Sequence, residues 1–281
     1  MTEEGKKRGR GLANIKARAE AVEAQKAMQL PLWAEPLRSA PNEILRTALF
    51  TARNKKHPRI YISNQILSYG QTSVFYKGEE LRQDDLDVWL QILHLSRGKE
   101  LGKPVEFTFS QIKKALGWGY GKYYTQRLIE ILDRLSATTV RIESARLKSG
   151  KGMSLVRSFI YQTPDNEVSD VWSVEIEPEM GILFGIDGAY STRLEWQQRL
   201  DLGPLAKWLH GFYNSHRDPY PLHFEMLLEV SGSSAALKSK AKQMVKDALE
   251  ELIEVGFLKE MKIDARGMVT VVKTKAKHAT E

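Results

Sequence analysis

One block order occurs twice in this chain, and it limits the possible folds more than any other feature. Each copy reads as helix, short strand, helix, tight turn, long helix, then two strands around a basic or Gly-containing turn. The first copy runs from about Leu86 to Tyr161 and the second from about Pro204 to Lys273. The turn before the long helix is small and polar both times: Gly117-Trp118-Gly119-Tyr120-Gly121, then Ser231-Gly232-Ser233-Ser234. Two helices joined by a short turn and followed by a β-hairpin outline a winged helix-turn-helix, whose second helix lies in a DNA groove. The expected fold class is therefore α+β, with two tandem winged helix-turn-helix domains at 42–186 and 187–281 behind a mobile basic tail at 1–41.

A net charge of +7 favours a polyanionic partner without choosing one. The 281 residues contain no cysteine, which excludes a disulfide framework, a thiolate zinc site and a cysteine nucleophile. No apolar run reaches the length of a membrane span, and Met1-Thr2-Glu3-Glu4 leads into a basic stretch without the apolar core of a secretory signal. The cytoplasm is the expected compartment, with no membrane partner.

In the tail, Lys6-Lys7-Arg8-Gly9-Arg10 opens an Ala/Glu/Lys/Arg stretch, and Pro31, Pro36 and Pro41 then interrupt the chain. Within it lies an apolar island, Gln29-Leu30-Pro31-Leu32-Trp33. From Asn42, the residues Ile44, Leu45, Ala48, Leu49 and Ala52 suit one face of a helix that ends in Arg53-Asn54-Lys55-Lys56. Val105, Phe107 and Phe109 alternate as a strand, and Ser110 is a candidate N-cap for the helix after it.

The long helix of the first copy turns Tyr124, Leu128, Ile131, Leu132 and Leu135 inward. Lys122, Tyr123, Gln126, Arg127 and Arg134 are left toward solvent or a ligand. Arg pairs with guanine and Gln with adenine, so Lys122, Tyr123, Gln126 and Arg127 form a candidate groove-reading face. The following strand, Thr138 to Ala145, leads into Arg146-Leu147-Lys148-Ser149-Gly150-Lys151-Gly152, a candidate cationic wing tip contributing Arg146, Lys148 and Lys151. In the second copy Leu237, Ala241, Val245, Ala248, Leu249 and Leu252 form the inward stripe. Lys238, Lys242 and Lys246 stack on another face, with Ser233 in the turn and Arg266 in the second hairpin. These are candidate phosphate contacts, although such lysines can also form a plain solvated face.

Catalysis has little support. No two of the six histidines lie two or four residues apart, and no Gly-x-x-x-x-Gly-Lys-Ser/Thr loop occurs. Asp84, Asp85 and Asp87 are better explained as the acidic opening of a helix than as metal ligands. The expectation is a protein that is not an enzyme and needs no cofactor.

Several segments go beyond generic patterning: Pro41 to Lys56 (PNEILRTALFTARNKK), Gly78-Glu79-Glu80-Leu81-Arg82, and the run from Phe107 through Gly117-Trp118 to Tyr123-Tyr124-Thr125. Leu135-Ser136-Ala137-Thr138 and Ser215-His216-Arg217-Asp218-Pro219-Tyr220-Pro221-Leu222 complete the set. In this order, across most of residues 29–260, the chain resembles the TrfA family of plasmid replication initiators. The resemblance implies a protein that binds directly repeated origin sequences (iterons) as a monomer and promotes melting of adjacent AT-rich DNA. It also implies contact with single-stranded DNA of the melted origin, recruitment of the host replicative helicase and initiator, and an inactive homodimer. The island Gln29, Leu30, Leu32 and Trp33 then looks like the Gln-Leu-x-Leu-Phe peptide that docks in the cleft of a bacterial sliding clamp, with Trp33 where Phe is commoner. Packing of this island back onto the first domain is the competing reading. A winged-helix transcriptional repressor is the alternative function.

Overall fold

The computed structural model describes residues 29–66, 70, 72–144, 152–162 and 167–274. Its first strand lies in the stretch expected to be a tail. β1 (Leu37–Pro41) pairs antiparallel with β10 (Ser191–Glu195), and Arg38, Ser39 and Ala40 are buried. Residues 29–41 therefore belong to the folded body. This corrects the mobile tail for those residues; the basic stretch before Gln29 lies outside the described residues.

The helix expected from Asn42 to Ala52 is a single turn, α1 (Asn42–Leu45), after which β2 (Phe50–Thr51) pairs parallel with β5 (Leu81–Arg82). The apolar residues that suggested one helical face are buried, but so are Thr47, Phe50 and Thr51 between them. A segment enclosed on every side has no solvent face to keep it amphipathic, and tertiary pairing decides its backbone.

β3 (Tyr61–Ile66) and β4 (Ser73–Glu79) form a hairpin, and α2 (Gln83–Ser96) then runs through the centre of the first core. Leu86, Val88, Trp89, Leu90, Ile92 and Leu93 are all buried, on several faces at once. Asp85 caps the helix by accepting the Arg82 backbone N–H at 2.7 Å. β6 (Val105–Thr108) leads to α3 (Phe109–Ala115). The N-cap of α3 is Thr108 rather than Ser110: its Oγ1 accepts from the Gln111 N–H, and Gln111 Oε1 accepts from the Thr108 N–H. α4 (Lys122–Ser136) buries Leu128, Ile131, Leu132 and Leu135 as its spacing predicts.

The first hairpin departs from expectation. β7 (Thr139–Glu143) pairs with β4, completing a β3-β4-β7 sheet, while β8 (Ser158–Gln162) pairs with β9 (Val168–Glu175) in a sheet of order β6-β9-β8. β7 and β8 belong to different sheets, while an antiparallel bridge joins Val140 to Met153, and residues 146–151 of the expected wing tip lie outside the described residues. The correction has a physical reason: Val140 and Ile142 find a buried face on β4, facing Tyr76 and Val74. Arg146, Lys148 and Lys151 themselves lie outside the described residues.

α5 (Met180–Phe184) and α6 (Trp196–Leu200) flank β10, and α7 (Pro204–Asn214) opens the second unit with Pro204 at its first turn. β11 (Leu222–His223), α8 (Phe224–Val230), α9 (Lys238–Glu254), β12 (Leu258–Ile263) and β13 (Met268–Lys273) follow, with sheet order β11-β13-β12. In both copies the first strand pairs with the last, and the last with the middle one. Leu237, expected inside, is 65% exposed at the start of α9.

The apolar side chains divide into two clusters. One extends from Leu30 to Trp196, and the other from Leu202 to Val271 with the addition of Ala52. The division therefore falls near residue 201, beyond the expected boundary at 187, because β10 and α6 pack with the first unit. The units are tied by the Trp208 indole donating to the Thr47 carbonyl at 2.9 Å and by the Ala52 N–H donating to Ser231 O at 2.8 Å. Gly232, at φ +69°, sits where a Cβ would come within 2.8 Å of the Thr51 methyl, so this turn needs glycine for both its backbone and its contact.

Candidate nucleic-acid interface

The turn before α4 and the first turn of that helix present a polar and aromatic surface. Tyr120 is 91% exposed and Tyr123 70% exposed, with Lys122 and Gln126 beside them. Lys113, from α3, lies 3.6 Å above the Tyr120 ring. Tyr120, Lys113 and the exposed Lys114 were absent from the sequence-derived set. Their signal was the placement of two lysines at the end of the helix before a glycine-rich turn.

Arg127 and Arg134 do not project freely. The Arg127 guanidinium stacks 4.8 Å from the Trp118 ring and pairs with Asp84 at 3.1 Å, and Arg134 pairs with Asp85 at 2.9 Å. Arg127 is thus not a free side chain here: Asp84, at the start of α2, holds it against the protein. The same acids gather further cations. Asp84 also takes Arg59 at 3.4 Å and Lys55 at 3.7 Å, and Asp85 takes Arg59 at 2.7 Å. Glu80 takes Arg82 at 2.7 Å and Arg53 at 3.6 Å, while Asp87 takes Arg199 at 2.8 Å and Lys207 at 2.5 Å. Burial pushes the Asp84 carboxyl up, but Lys55, Arg59 and Arg127 outweigh it and hold the group below its ordinary range. Asp85, deeper and beside Asp84, is pushed up.

On α9, Lys238 reaches back to Glu225 at 3.2 Å and Lys246 pairs with Glu250 at 3.3 Å. Lys242 and the exposed Lys240, which the four-residue stripe had passed over, hold no ion pair among the described residues. Ser233 is half-buried in the turn, where its N–H bonds to Leu228 O at 3.1 Å. Arg266, 88% exposed by side chain, tops the β12–β13 hairpin, whose turn is held by Asp264 accepting from the Arg266 and Met268 N–H groups at 2.9 and 2.8 Å.

The apolar island at the chain's described start is half engaged. Leu30 and Trp33 are buried, Leu32 is 71% exposed and Gln29 is exposed. Trp33 stacks on Phe184 with 6.2 Å between centroids and 3° between planes, and its Nε1 donates to His94 Nδ1 at 2.9 Å. The competing reading is thus the one the packing follows: two of the four candidate clamp-docking side chains are occupied by the first core. Among the described residues no group of three or more His, Asp or Glu is placed to hold a metal ion, and no helix is long and apolar enough to cross a membrane.

The sequence model described as TrfA protein matches residues 11–270. The chain belongs to the TrfA family. It is 35% identical over 242 residues to the plasmid replication initiator protein TrfA of Escherichia coli, covering 83% of this chain and 62% of that one. The chain therefore spans under two thirds of that relative's length. Among solved structures, a crystal structure of domains 2 and 3 of RctB is similar with a TM-score of 0.53 at 11% identity, over 83% of this chain and 96% of that one. That likeness is one of fold. It agrees with a TrfA-family chain built as a mixed helix-and-strand body with two repeated units.

Proposed function

We propose that this chain is a plasmid replication initiator that binds origin iterons through two winged-helix units, with α4 and α9 entering successive major grooves. The observation that carries the reading is the repeated arrangement in a TrfA-family chain: each unit sets a helix, a tight turn and a longer helix against a three-stranded sheet of the same strand order. Each longer helix begins in an exposed surface, with Lys122, Tyr123 and Gln126 on α4 and Leu237, Lys238 and Lys240 at α9. Gln126 can pair with a base edge, and Tyr123 and Leu237 can meet thymine methyl groups. Lys240, Lys242, Lys246 and Arg266 serve the phosphate backbone.

The mechanism is energetic and not catalytic. Several bound copies use binding free energy to bend DNA and open the neighbouring AT-rich stretch, after which host helicase and initiator are brought in on cytoplasmic DNA. The monomer is the active form. Docking of Gln29–Trp33 into a sliding clamp requires Trp33 to leave Phe184 and His94, so it is a second, conditional step.

Footprinting on the native plasmid origin tests the proposal. Protection of directly repeated sites beside an AT-rich region is expected. Protection confined to one inverted repeat would make the chain a repressor, and nicked or covalently bound DNA in the presence of divalent metal would make it an enzyme.

A further inference from the structure

Between the two units lies a cleft of about 360 Å³ with Arg53, Lys55 and Arg127 on one wall and Lys207 on the other. It opens onto the network of shared carboxylates described above, in which Glu80, Asp84, Asp85 and Asp87 each hold at least two cations. Positive charge there exceeds negative charge even after every one of these pairs is formed. Such a surplus, partly withdrawn from water, is stabilised by a further anion.

Two of the cations are loosely committed. Lys55 stands 3.7 Å from Asp84 with its side chain 63% exposed, and Arg53 stands 3.6 Å from Glu80, both longer than a hydrogen bond. The tight partners are elsewhere: Lys207 on Asp87 and Arg127 on Asp84. Burial first, and then the charges of Arg127 and Lys207, pull the Lys55 ammonium below its ordinary value despite Asp84. The three cations therefore converge closely enough to repel one another.

We propose that this inter-unit cleft is a phosphate-binding site in which Lys55 and Arg53 turn from their carboxylates to grip a phosphate, with Lys207 and Arg127 fixing its position. The source favoured by placement is the DNA backbone. Trp118 and Arg127 line the cleft from the turn before α4 and from α4 itself, and Arg127 lies one turn along the helix from exposed Tyr123. A duplex whose groove receives α4 brings its sugar–phosphate strand to this edge. Only the DNA source rests on the proposed function; a free phosphate-bearing molecule would use the same groups.

Two arms test the site on the full chain. In the first, melting temperature is measured in inorganic phosphate and in chloride of matched ionic strength, for the wild type, Lys55→Gln and Lys55→Arg. Phosphate should raise the wild-type value above chloride, Lys55→Gln should abolish the difference, and Lys55→Arg should restore it. In the second arm, affinity for iteron and random duplexes is followed against salt. Lys55→Gln should weaken both alike and make the slope of log K against log salt about one unit shallower. A Lys55-dependent phosphate effect with unchanged DNA binding would keep the site and move its source to a free phosphate compound. No phosphate effect together with an unchanged slope would overturn the proposal. Failure of the wild type to bind any duplex would sink the DNA reading, while the melting arm still judged the cleft.

Discussion

Trp33 illustrates how one side chain can be claimed by two partners. Its indole fills the first core against Phe184 and donates to His94 Nδ1, which leaves the His94 proton on Nε2, 3.1 Å from Glu35. Burial first, and then the charge of Arg38, holds His94 down to about 4, against the pull of Glu35. Because the folded imidazole resists protonation while the unfolded one titrates near its ordinary value, the unfolded chain binds the extra proton between those two values. The share of stability linked to His94 is complete above about pH 6.5 and is lost as pH drops toward 4. Trp33→Phe keeps most of the packing but strands the His94 acceptor, costing about 1–3 kcal/mol at neutral pH, whereas Trp33→Ala costs about 3–5 kcal/mol. Urea melts at pH 7 and pH 5 measure both effects; equal stability of Trp33→Ala and wild type would place the indole outside the core. The sequence displayed this island but not its fate. Phe184 and His94, distant along the chain, decide whether Leu30 and Trp33 face water, and no local pattern contains them.

At the scale of elements, the two long helices were legible and the connections were not. The stripes Leu128-Ile131-Leu132-Leu135 and Ala241-Val245-Ala248-Leu249-Leu252 place α4 and α9 because helical burial repeats along a single segment. The partner of β7 was hidden because a strand's own alternation says nothing about which sheet accepts it, and the false helix over 42–52 arose because full burial imitates a stripe. The exposed faces of α4 and α9 separate into different classes of contact. Lys240→Ala and Lys242→Ala should each weaken binding to iteron and random DNA by similar factors, since phosphates carry no sequence code. Arg127→Ala should lower thermal stability by removing a partner of Asp84, and should not by itself relax sequence preference. Anisotropy titrations on both duplexes, with melts alongside, distinguish the outcomes. A selective loss on the iteron alone would return Arg127 to the base-reading class.

Across the whole molecule, the units are joined through buried polar groups as well as apolar contact. Arg199 is fully buried and bonds to Asp87 Oδ1 at 2.8 Å, to Gln83 Oε1 at 2.9 Å and to the Lys207 carbonyl at 3.0 Å. Removing it leaves Asp87 in low dielectric with only Lys207, so Arg199→Ala should cost about 3–5 kcal/mol. Calorimetry should find one unfolding transition in the wild type, because the groups that stabilise each unit are shared. Two well-separated wild-type transitions would contradict that coupling. The tie through Thr47, Ala52 and Gly232 has a further consequence outside the protein. If α4 and α9 cannot swing relative to each other, the chain acts as a ruler with a fixed angular phase on the double helix. One extra base pair between the two contacted stretches rotates the farther one by about 34–36° and displaces it by about 3.4 Å. Five extra pairs turn it to the opposite face. Affinity should therefore fall steeply with the first inserted pair and stay low at five, where a protein with a loose hinge would hold on.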